Sequence, residues 1–129
     1  FSPLIEVIAA EPENVDDAYR SLQSGNIETN ETTNTIADGL RTNLGDVNFP
    51  IIKSLVHKVL LVSEQEIADA MKWVWERMKI VIEPSSAVAV AALIRYKDQF
   101  KGRRVGIILT GGNVDLAEVL KLVSQPLGH

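Results

Sequence analysis

Hydrophobic and polar positions along the chain follow two alternating periods, and their order predicts strands interleaved with helices. Residues 4–10 (LIEVIAA) are apolar and β-branched apart from Glu6 and predict a buried strand, which Glu11-Pro12 should end because proline donates no ladder bond. Asn14 or Asp16 is placed to cap a helix running to about Ser24, with Gly25 at its C-terminal end. Residues 26–35 are polar and rich in Thr and Asn, as expected of a surface loop. A short segment over 36–44, interrupted by Gly39, precedes a helix that starts at Pro50 and includes His57. Residues 59–62 predict a second strand. Ser63 and Glu66 have the spacing of a capping box and open a helix to about Lys79. Pro84 starts a further helix, to about Phe100, whose first part (SSAVAVAAL) is small and apolar on nearly every face and therefore buried. Gly102 ends it. Residues 105–109 are apolar without alternation and predict a third, central strand. An amphipathic helix over 115–124 follows.

Strands that alternate with helices predict an α/β fold with a parallel sheet flanked by helices, in a single domain over 1–129. Three strands form a small sheet with exposed edges. The chain also opens at Phe1 and runs almost at once into an apolar strand. Both features predict that the chain begins in the middle of a larger fold.

Composition narrows the functional classes. A net charge of −4 argues against a non-specific nucleic-acid binder, which carries a basic surplus. No apolar run approaches the ~20 residues of a membrane span. The absence of cysteine excludes disulfides, thiolate metal sites and a cysteine nucleophile, and is compatible with a cytoplasmic setting. His57 has no Ser or Asp at a telling spacing, so a hydrolytic triad is unsupported.

Ligands of open α/β sheets bind beyond the carboxyl ends of strands. The turn Thr110-Gly111-Gly112-Asn113 lies at such an end, where two glycines allow close backbone approach and Thr110 offers a hydroxyl. Taken alone, this pattern also describes a tight connection. It is preceded by VIAAEP, TIADGL and WERMKIVIEPSSAVAVAAL, and it lies within VGIILTGGNVDL. In this order the four segments resemble the C-terminal half of serine racemases and serine/threonine dehydratases, members of the fold-type II, tryptophan synthase β-like group of pyridoxal-phosphate (PLP) enzymes. The resemblance covers about residues 5–116.

The resemblance implies roles for individual residues. Thr110 would face the pyridine nitrogen of PLP, where relatives usually carry serine. Gly111, Gly112 and Asn113 would shape the wall beside the ring. Glu83 would lie near the cofactor, although a first-turn acid also suits a helix N-terminus. Gly39, in Ile36-Ala37-Asp38-Gly39, would line the pocket, and Thr42 would lie on the substrate side. Glu11 and Asp17 would give carboxylate oxygens, and Val15 a carbonyl, to Mg²⁺ or Ca²⁺; hard cations prefer such ligands. Arg77 and Lys79 lie near a stretch that binds ATP in eukaryotic members, but cations at a helix end need no ligand to explain them. Trp73 and Trp75 suit either a dimer interface or the core.

The resemblance also implies what this chain lacks. In the family, the lysine that carries PLP lies upstream in a Ser-Phe-Lys type motif, as does a glycine-rich phosphate loop. None of the seven lysines here lies in such a motif. The expected activity of the full-length protein, as a homodimer, is Cα deprotonation of L-serine or L-threonine. Racemisation, or loss of water to give a 2-oxo acid and ammonia, would follow; 3-hydroxyaspartate is the neighbouring substrate. The isolated chain is expected to be inactive and to need the missing N-terminal half. The alternative is a non-catalytic small-molecule-binding or interaction module on the same scaffold.

Overall fold

The computed structural model describes residues 4–124. Strand β1 (Val7–Pro12) and strand β2 (Val56–Val62) pair in parallel from Val7↔Val56 to Pro12↔Val62. The register slips once, between Val7 and Ile8, where His57 is the extra residue. His57 therefore lies on a strand and not on the expected helix. Helix α1 (Asp17–Ser24) follows β1 and ends at Gly25, whose φ of 79° is left-handed. Helix α2 (Asn48–Leu55) runs directly into β2. Helices α3 (Glu64–Met78) and α4 (Pro84–Arg95) pack on each other and, through α4, on the sheet. Helix α5 (Leu116–Val123) closes the described chain.

The core lies between the sheet, α3 and α4. Leu60 and Val62 of β2 meet Ile67, Met71 and Val74 of α3 and Ala87, Val88 and Ala91 of α4. The small side chains of α4 permit this close approach, as its composition predicts. The capping box of α3 is present in full: Ser63 Oγ accepts from Glu66 N (3.3 Å), and Glu66 Oε2 accepts from Ser63 N (2.7 Å).

Several expectations shift. The first strand begins later than its apolar run, because Leu4 (91% exposed) and Ile5 (61%) lie outside the pairing register with β2. Pro12 is its last residue rather than a stop before it. The helix from Pro84 ends at Arg95, and a 3-10 turn, Lys97–Phe100, continues the segment. Only Asp38–Leu40 of the segment over 36–44 is helical, as another 3-10 turn. The third strand does not form: among the described residues, the sheet has two strands. Residues 106–110 nonetheless alternate: Ile107 and Leu109 pack on the core, while Ile108 (80% exposed) faces outward, and Val105 (44%) falls outside the alternation. A strand is completed by a pairing neighbour, and here this stretch has no ladder.

Candidate cofactor site

Three of the expected cofactor residues converge on one cleft of about 360 Å³. Gly39 comes from the 3-10 turn, Glu83 from the entry to α4, and Thr110 from the end of the 105–109 segment. Ala10, Leu40, Val88, Ala89 and Ile108 supply apolar walls. Such walls, with one hydroxyl and one carboxylate, suit a flat heteroaromatic ring.

The glycines hold this geometry closed. A Cβ on Gly111 would collide with Glu83 Oε1, and one on Gly112 would stand 2.5 Å from the Val81 carbonyl oxygen. A Cβ on Gly39 would press on Ser85 Oγ at 3.0 Å. Backbone bonds add to the fit: Glu83 N donates to the Gly111 carbonyl (3.0 Å), and Gly39 N donates to Ser85 Oγ (3.1 Å). Asn113 and Thr42 are exposed and are not among the lining residues; the Thr42 carbonyl accepts from Asn30 Nδ2 instead (3.3 Å).

Ser86 is the residue that sequence reasoning missed. It is 2% exposed. Its Oγ accepts from Gly111 N (2.8 Å), donates to the Gly111 carbonyl (2.9 Å) and lies 3.0 Å from Thr110 Oγ1. The only signal in the chain was a hydroxyl inside an otherwise apolar, small-residue helix, where an unbonded polar group would be costly.

The expected metal residues occupy the corner between β1 and α1. Asp16 stands at the helix cap without a side-chain capping bond, and its carboxylate accepts from Arg20 Nε instead (2.7 Å). Glu11 caps the helix from the strand: Oε1 accepts from Ala18 N (3.2 Å) and Oε2 from Tyr19 N (2.9 Å). Buried Asp17 accepts from Asn30 Nδ2 (2.8 Å) and Leu44 N (2.8 Å), which ties the polar loop to α1. Burial raises the Glu11 carboxyl from 4.5 to about 7; the Tyr19 N–H opposes this, and the charge of Asp17 adds to it. Among the described residues, no group of three or more His, Cys, Asp or Glu side chains could hold a metal ion. The expected set has two carboxylates and a carbonyl. Their oxygens remain chemically suited to a hard cation, since each has a second lone pair beyond the N–H it accepts.

Other candidates lie elsewhere. A groove of about 450 Å³ between α3 and α4 is lined by Trp73, Arg77, Ile94 and Arg95 among others, and none of the expected cofactor or metal residues reaches it. Lys79 is left-handed (φ 60°) and caps the end of α3 through the Glu76 carbonyl. Trp75 packs on the core and donates to the Ile82 carbonyl (2.9 Å), whereas Trp73 is exposed. No described helix is long and apolar enough to cross a membrane.

Comparison with known proteins gives the family. The family model described as "Pyridoxal-phosphate dependent enzyme" matches residues 1–111. The chain is 54% identical over 128 residues to a serine racemase of Dictyostelium discoideum, covering 96% of this chain and 40% of that protein. It is 48% identical over 116 residues to a beta-hydroxyaspartate dehydratase of Paracoccus denitrificans, covering 90% and 37%. The crystal structure of a serine racemase from Dictyostelium discoideum superposes with a TM-score of 0.82 at 56% identity, over 89% of this chain and 37% of that one. The chain thus spans roughly two fifths of the length of these relatives.

Proposed function

The chain belongs to the pyridoxal-phosphate-dependent enzyme family, and from that premise we propose that its cleft is the ring-nitrogen side of the cofactor site in a serine racemase or serine/threonine dehydratase. The observation that carries this reading is the convergence of Gly39, Glu83 and Thr110, from three separate parts of the chain, on one apolar cleft. When bound, PLP supplies an electron sink that makes the Cα proton of an amino acid removable.

The residues of this chain bind and orient. Thr110 would hold the ring nitrogen through its hydroxyl. Gly111 and Gly112 would let the turn beside Thr110 pack closely, and Asn113 would follow it outside the cleft lining. Glu83 brings a carboxylate to the cleft and Gly39 lines it; Thr42, exposed and off the lining, would serve only at the substrate side. The apolar walls exclude water from the ring. In this reading the Cα proton would be moved by a lysine supplied from outside these 129 residues. The substrate is L-serine or L-threonine, acted on by racemisation or by loss of water to a 2-oxo acid and ammonia. The likeness to a beta-hydroxyaspartate dehydratase supports 3-hydroxyaspartate as a second substrate class. Glu11, Asp17 and the Val15 carbonyl would hold Mg²⁺ or Ca²⁺ at the β1–α1 corner, as a structural ion. The cytoplasmic homodimer expected of the full-length protein belongs to the same reading.

The test has two arms. The full-length protein should show the visible absorbance of lysine-bound PLP and turn over L-serine, with loss of both when Thr110 and Glu83 are replaced by alanine. The isolated chain, treated with PLP and borohydride, should take up no stoichiometric label. Turnover of serine by the isolated chain, or a full-length protein without the absorbance, sinks the reading.

A further inference from the structure

We propose that Ser85 is a positioning residue for the substrate: its hydroxyl ties the 3-10 turn Asp38–Leu40 to the start of α4 and so fixes the stretch of chain that leads to Thr42. The proposal rests on the reading above, in which this stretch serves the substrate side of the cleft. It follows from where the segment is tethered. Before the turn, Ile36 N donates to Glu64 Oε2 (2.7 Å). After it, the Thr42 carbonyl accepts from Asn30 Nδ2 (3.3 Å), and Leu44 N donates to Asp17 Oδ2 (2.8 Å).

Between these points the hydrogen bonds are local. Leu40 N donates to the Ala37 carbonyl, Arg41 N to the Asp38 carbonyl, and the Arg41 guanidinium to the Thr35 carbonyl. The Gly39 N–H is the exception. It is shared between Asp38 Oδ1 in the same turn (2.9 Å) and Ser85 Oγ on α4 (3.1 Å). Among the described residues, this second contact is the one hydrogen bond that carries the turn to another element. It is also closely built, since a Cβ on Gly39 would stand 3.0 Å from Ser85 Oγ.

Ser85 and Gly39 both line the cleft. Pro84 precedes Ser85, and its ring fixes the backbone at the first helical position, so the hydroxyl is presented from a rigid start. The next hydroxyl holds a different turn: Ser86 Oγ accepts from Gly111 N (2.8 Å) and donates to the Gly111 carbonyl (2.9 Å). Consecutive side chains at one helix start thus grip two separate turns, and one can be released without the other. Loss of the Ser85 hydroxyl frees the Gly39 turn and leaves the turn at Thr110 in place. An arriving amino acid must then order the freed turn itself. That cost falls on substrate binding and not on the chemical step, so it enters KM and spares kcat.

The test uses the full-length protein with bound PLP and L-serine as substrate. Ser85→Ala should raise KM by about three- to tenfold, the equivalent of one neutral hydrogen bond, with kcat and the absorbance of lysine-bound PLP unchanged. Ser85→Thr keeps the hydroxyl and should keep the wild-type KM. If Ser85→Ala does not fold, Ser85→Cys preserves the volume with a weaker acceptor and should raise KM in the same way. An unchanged KM overturns the proposal, and so does a Ser85→Thr protein with the raised KM of Ser85→Ala. Loss of the absorbance in a folded Ser85→Ala also overturns it, because Ser85 would then serve the cofactor. A wild type that lacks the absorbance or does not turn over L-serine brings down the cofactor reading, and the proposal with it.

Discussion

Replacing Glu11 with glutamine isolates the electrostatics of the β1–α1 corner. The buried carboxyl titrates at about 7 in the folded chain against 4.5 when exposed. A raised folded value means that the folded state holds the proton more tightly. The stability this confers is complete below pH 4.5, declines as the pH rises, and is gone once the pH passes about 7. At about 1.4 kcal/mol per pH unit, the interval sets a ceiling of roughly 3 kcal/mol. Water at the rim of the corner screens part of it, which leaves about 1–2 kcal/mol. For a chain of this size that corresponds to roughly 5 °C in melting temperature. Glutamine cannot ionise, and its carbonyl still accepts one N–H of α1. Thermal melts in chelator should therefore fall between pH 4.5 and 7 for the wild type and stay flat for Glu11→Gln. Saturating Mg²⁺ or Ca²⁺ should remove the wild-type decline, because a cation favours the ionised carboxylate. Equal slopes for the two proteins, or a wild-type melting temperature that rises over this range, would refute the reasoning.

The glycine turn separates stability from binding. Gly112→Ala drives a Cβ against the Val81 carbonyl, a backbone atom that cannot swing aside, and should cost about 1–3 kcal/mol in urea unfolding. Gly111→Ala meets only the mobile end of Glu83; its urea midpoint should shift by less than about 1 kcal/mol, while PLP affinity of the full-length protein drops because the carboxylate is displaced. Asp17→Ala leaves Leu44 N without its acceptor and Asn30 Nδ2 with only the Thr42 carbonyl, and should cost about 1–3 kcal/mol, with the Leu44 amide losing its protection in hydrogen exchange. Arg95→Ala removes ion pairs to Glu13 (2.6 Å) and Glu66 (3.0 Å) near the surface; a loss of about 0.5–1 kcal/mol that shrinks in high salt is expected from melts at two ionic strengths.

Sequence legibility followed locality. The α3 capping box was readable because its two partners are three residues apart, and the small-residue helix because burial on all faces leaves a compositional mark. The frame of β1 was misjudged because an apolar run does not say which residues meet a partner: Leu4 and Ile5 match the rest of the run in type and lie outside the register. Residues 105–109 have the composition of a strand without a neighbour to pair with. Glu11 was read as a metal ligand, and its capping role was invisible because a cap is sought beside the helix, not on the strand before it. In the cleft, Gly39, Glu83 and Thr110 each stand in one of the ordered motifs, and the structure brings the three together. Ser86 was not, because its role depends on a turn that returns to it from a distant part of the chain.

The junction between α2 and β2 limits where this fold can change length. Val56 closes the helix through Ile52 and already pairs with Val7, so no loop residue stands between the two elements. The single bulge at His57 is the slack of this junction, and it is already taken up. One inserted residue would turn every β2 side chain to the opposite face and bring Leu60 and Val62 out of the core. Insertions and deletions over the course of evolution should therefore collect in the polar loop before α2 and near Gly102, where the chain is exposed, and spare this seam.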